Sequence, residues 1–224
     1  MDPSGRPHTL SAMDTQRGRH TVSRRPLPDL NGPEGNARLT GSTAAVLFVL
    51  LAAEGITILS VRGLLTEHVF IGMLLVPPVL LKTGSTLWRF ARYYRGDPAF
   101  RRKGPPPALL RLLGPFVVLL TLAVLATGVA LLLAGPALRS GLLFLHKASF
   151  VLWLLAMTVH VLGHLADTAR LAPRDWMRRT RRDVTGAGPR QWAIAASLIC
   201  GLLLAFLLVG RTAPWLGLVP NAGP

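Results

Sequence analysis

The chain is expected to be all-α, a polytopic membrane bundle of about five transmembrane helices with its amino terminus inside. Three observations predict this class. Apolar runs of about 20 residues recur, enough at 1.5 Å per residue to cross a hydrocarbon layer of roughly 30 Å. Only 16% of residues are charged, against about a quarter in ordinary soluble domains, and mean hydropathy is +0.43. The runs are continuous rather than alternating, which excludes a barrel of strands.

Taken in order, residues 1–41 are polar and rich in Pro, Gly, Ser and Arg without an apolar period, so they read as a disordered basic tail. No apolar segment lies near Met1 to act as a cleavable signal, so the first span is expected to serve as an uncleaved anchor. Candidate spans follow at about 43–62, 68–88, 109–134, 143–165 and 191–210, making a bundle over 42–212 and a short outer tail over 213–224. The second span contains Pro77-Pro78, which removes two backbone donors and should kink or open the helix. Cys200 is the only cysteine, so no internal disulfide and no cysteine cluster can form; it is expected to be a small buried residue.

Charge placement sets the orientation. Of the 25 Lys and Arg residues, 20 lie in the tail and in the segments after the second and fourth spans, including Arg24, Arg25, Arg92, Arg101, Arg178 and Arg182. The opposite side has only Arg62, Arg139 and Arg211, and Lys82 and Lys147 fall within spans. Basic segments stay in the cytoplasm, so the bias places the amino terminus inside and the carboxyl terminus outside, in a multi-pass protein of the inner (plasma) membrane. The net charge of +15 is thus topological, matched to anionic headgroups, and does not imply nucleic acid.

Ionisable residues inside spans are costly and mark function. Four of the six histidines lie in or at the ends of spans: His68, His146, His160 and His164. Spans two and four run in the same direction, and His68 and His146 lie near their outer ends, so the two can face each other at one depth. Two neutral imidazoles on facing helices can hold a haem iron axially. Gly72, one turn after His68, would leave room for a porphyrin edge or for close helix packing. Fourteen residues beyond His146 stands His160, and fourteen beyond His68 stands Lys82. That spacing is about four turns, roughly 21 Å, and returns to nearly the same face. It would put a second site at the inner level, where span two offers Lys82 instead of a histidine. His160 and His164 share a face at i, i+4, but a metal site of their own would need further ligands.

The segments EHVFIGM around His68 and LHKASFVLWLLAMTVHVLGH with His146, His160 and His164 resemble the bis-histidine membrane cytochromes b. These are bacterial haem-binding subunits of respiratory and ferric-reductase-like oxidoreductases, with four or five helices. The resemblance covers roughly residues 43–210. It implies a b-type haem, for which His68 and His146 are the candidate ligands, with a second haem open at His160 or His164, and electron transfer in or at the membrane. The departure at Lys82 weakens the case for that second haem. Lys147 and Arg139, near the outer level, are expected as partners for haem propionates.

Glu54 stands midway in span one; it is expected to pair with Lys82, to bond a neighbouring helix, or to serve proton or quinone chemistry with Lys82. The expected function is a membrane haem-b electron-transfer subunit. It would pass electrons between the quinone pool and an extracytoplasmic redox protein and depend on other subunits for a complete enzyme. The alternative is a non-redox small transporter or assembly scaffold in which Glu54, Lys82 and Pro77-Pro78 mark a polar path, although the sequence shows no inverted repeat.

Overall fold

A computed structural model describes residues 32–102, 104, 108–176 and 187–216, with side chains left undescribed at 108–110, 136 and 164–187. Among the described residues every regular element is helical: α1 (Pro33–Leu59), α2 (Leu65–Tyr94), α3 (Pro98–Arg102), α4 (Ala108–Leu133), α5 (Arg139–Trp176), α6 (Ala187–Leu208) and α7 (Ala213–Leu216), with 3-10 turns at Pro136–Leu138 and Val209–Thr212. Five of these helices are long and apolar enough to cross a membrane. Their outward faces carry large apolar side chains, among them Leu207, Phe144, Phe206 and Leu119. Such faces suit lipid, where no aqueous penalty attaches to exposed hydrocarbon.

The first helix begins at Pro33, about ten residues before the span expected from hydropathy. Residues 33–41, placed by sequence in the tail, form its first turns. They are polar because they bond to α2. The buried Asn36 donates through Nδ2 to the carbonyl of Ser85 at 2.9 Å, and the hydroxyls of Thr40 and Ser85 meet at 2.9 Å. Polar contacts of this kind join helices in an apolar medium, so Asn36→Ala should lower stability by about 0.6–1.7 kcal/mol, read from thermal unfolding in detergent. Residues 1–31 of the expected tail lie outside the described residues.

Four helices form a ring. α1 packs on α2 and on α5, α4 packs on α5 and touches α2, and α6 lies against the outer side of α2. Helices α2 and α5 therefore stand across a diagonal. Leu47, Leu75 and Val79 fill the centre, with Leu50, Leu51, Ile71 and Leu125 around them.

Helix α2 continues through Pro77-Pro78. The prolines cannot donate to the carbonyls of Met73 and Leu74, four residues earlier. The second of these carbonyls faces α6. A Cβ on Gly201 would collide with Leu74 O and lie 3.1 Å from its carbonyl carbon. Glycine there lets a Cα–H approach the freed carbonyl, a weak hydrogen bond that partly replaces the missing donor. Phe70 and Phe206 pack edge to face beside it, with centroids 5.2 Å apart. Cys200 is exposed on α6, not buried as expected, because its neighbour Gly201 takes the face turned to α2.

The ends with most basic residues carry their own contacts. Arg92 pairs with Asp97 at 2.6 Å and lies over the rings of Trp88 and Phe100, and Arg111 bonds the Tyr94 hydroxyl and stacks over its ring.

Candidate functional site

Across the diagonal of the ring, the imidazoles of His68 on α2 and His146 on α5 meet with centroids 6.4 Å apart and planes at 76°. The first turn of α2 holds one and the second turn of α5 the other, so the co-level reading from sequence is matched by the fold.

Each ring is held through the same nitrogen. His68 Nδ1 lies 2.9 Å from Glu54 Oε1 and 3.0 Å from Thr57 Oγ1. His146 Nδ1 lies 3.1 Å from the Val124 carbonyl and 3.0 Å from Thr127 Oγ1. A carboxylate and a carbonyl only accept, so each ring donates from Nδ1, and in the neutral form this leaves the lone pair on Nε2. A metal-bound histidine is held in this way, its second nitrogen donating to a carboxylate or a backbone carbonyl.

The spacing suits a shared metal. A metal–imidazole bond is about 2 Å, and a ring centroid lies about 1 Å behind its ligating nitrogen, so two imidazoles on one iron have centroids roughly 6 Å apart. Among the described residues no three His, Cys, Asp or Glu side chains form a metal-binding group. A haem needs only two protein ligands because its porphyrin supplies the other four. The residues present therefore fit a haem at His68 and His146 better than a bare ion.

The other expected residues are placed as follows. Glu54 lies near the end of α1 beside His68, not midway, and is paired with that ring. Lys82 is fourteen residues further along α2, about 21 Å away, at the level of Thr40 on α1. The expected Glu54–Lys82 pair does not form, because the antiparallel register set by Asn36–Ser85 and Glu54–His68 puts the two at opposite ends. Arg139 lies over the ring of Trp215 at 4.5 Å, tying α5 to the turn of α7. Lys147 is exposed on α5. His160 is half-buried on α5 four turns below His146, and the side chain of His164 lies outside the described residues.

Gly72 does not face an open slot. A Cβ there would lie 3.5 Å from Glu54 Oε1, an ordinary contact, so the position faces the carboxylate. The close glycine at the second ring is Gly128 on α4, where a Cβ would come within 3.3 Å of His146 Cε1. Sequence reasoning missed Thr57, Thr127 and Gly128. Thr57 and Thr127 carried a signal as polar residues inside apolar runs. The Val124 carbonyl, a backbone group, carried none. Trp153 donates to Thr121 Oγ1 at 2.9 Å and packs beside Phe150, securing α5 on α4 below His146. In comparisons with known proteins, no family model, curated protein or solved structure matches the chain.

Proposed function

We propose that this protein is a membrane cytochrome b subunit that holds one haem b between His68 and His146. The observation that carries the reading is the pair of Nδ1-anchored rings, 6.4 Å apart across the bundle, each of which in its neutral form keeps Nε2 as the ligating nitrogen. Bound there, the haem would supply a one-electron Fe(III)/Fe(II) couple. The chain orients both ligands, and its five apolar helices suit a surrounding bilayer.

The site stands at the end opposite most of the basic residues, which on the charge bias is the extracytoplasmic side of a plasma membrane. The partner is then a redox protein docked on that side, and quinone in the lipid is the other member of the electron path. A second haem at His160 would need a ligand from another helix, and Lys82 at the matching position of α2 is not one while protonated. The transporter alternative expects a broken second span, whereas α2 runs on as one helix through Pro77-Pro78.

The test is a dithionite-reduced minus air-oxidised spectrum of the full chain, purified in detergent from haem-replete cells, with haem quantified against protein. A sharp b-type α band at one haem per chain is expected. Colourless protein would remove the reading, and two haems per chain would bring His160 into use.

A further inference from the structure

The two candidate ligands are held by chemically different partners. His146 donates to a neutral carbonyl, supported by the Thr127 hydroxyl, whereas His68 meets a carboxylate. We propose that Glu54 is a positioning residue that strengthens His68 as a donor and lowers the midpoint potential of the haem; this rests on the cytochrome reading above.

Two features of the packing hold the carboxylate in that role. Oε1 of Glu54 is 2.9 Å from His68 Nδ1, and the two side chains are only 13% and 20% exposed, so the interaction is poorly screened. The Thr57 hydroxyl is anchored one turn along α1 by a 2.6 Å bond to the Glu54 carbonyl, and it sits 3.0 Å from the same Nδ1. The carboxylate and the hydroxyl, both from α1, converge on one nitrogen.

The chemistry fixes the sign. A carboxylate accepting the Nδ1 proton draws it away from the ring and makes Nε2 a stronger donor. A stronger donor, with a negative charge a ring's width away, favours Fe(III) over Fe(II), so the potential falls. The Val124 carbonyl carries no charge and acts less on His146. Glu54 touches neither iron nor substrate here; it acts through His68.

The experiment is a potentiometric titration of the full chain with dithionite and ferricyanide, wild type beside Glu54→Gln and Glu54→Asp, with haem content measured in each. Glu54→Gln keeps a hydrogen-bonding amide but no charge. It should retain haem and show a raised midpoint potential, while Glu54→Asp stays closer to wild type. An unchanged potential in haem-loaded Glu54→Gln overturns the proposal and leaves the cytochrome reading standing. If Glu54→Gln is isolated without haem, Glu54→Asp decides. Haem at a low potential in Glu54→Asp supports the assignment; an empty Glu54→Asp reduces Glu54 to a structural residue and overturns it. A wild type without haem removes the cytochrome reading itself.

Discussion

Replacing either His68 or His146 by alanine should abolish the low-spin b-type spectrum while leaving a folded, membrane-inserted protein. The expected loss is nearly complete because axial ligation by two imidazoles is all-or-none for spin state: with one ligand gone, iron is five-coordinate or takes water. The fold should survive because neither ring is part of the apolar centre formed by Leu47, Leu75 and Val79. Each substitution leaves one partner set without its ring, Glu54 with Thr57 or Val124 with Thr127, and both sets are only partly buried. The measurement is a difference spectrum of each variant, with size-exclusion elution checking the fold. Equal loss in both variants identifies the pair. Retention of the full band in both would move the haem elsewhere, with His160 the next candidate.

Substituting Gly201 should have the largest effect on the scaffold. Its missing Cβ is what lets α6 reach the Leu74 carbonyl, and the obstacle is backbone, which cannot swing aside as a flexible side chain can. Gly201→Ala should cost about 1–3 kcal/mol, the usual range for overpacking, and Gly201→Leu should release α6 from α2. A lower unfolding temperature in detergent for the alanine variant, and aggregation or proteolysis of the leucine variant, are the expected results. Gly84→Ala is a fitting control, since a Cβ there meets nothing within 4 Å. Because His68 lies on α2 two turns before Leu74, the haem spectrum should weaken in Gly201→Leu as α2 loses its outer support.

Much of the architecture is legible in the residues because lipid imposes a single coarse rule on length and polarity. The five spans follow from apolar runs, and the co-level position of His68 and His146 follows from two parallel helices with equal offsets. The start of α1 is not legible in that way. Asn36 and Thr40 lower the hydropathy of its first turns, yet these turns are helical and packed because α2 offers Ser85 as a partner. Of the alternatives for Glu54, the bond to a neighbouring helix forms and the Lys82 pair does not: hydropathy gives the depth of a residue within its own span, whereas the choice between His68 and Lys82 is set by the register of α1 on α2. The anchoring of His146 depends on the Val124 carbonyl, which any residue would present, so only the packing of α4 on α5 reveals it. Gly72 and Gly128 show the same limit. Sequence marks both as small, but only the packing shows that one faces a carboxylate and the other makes room for an imidazole.

The central claim, one iron shared by His68 and His146, is tested most directly by low-temperature electron paramagnetic resonance of the air-oxidised wild-type protein. With their planes kept near the present 76°, the two imidazoles would donate into different d orbitals of a bound iron and leave those orbitals nearly equal in energy. The account predicts a low-spin ferric signal dominated by a single strongly shifted low-field feature. A high-spin signal, or no haem signal in protein prepared from haem-replete cells, would contradict it.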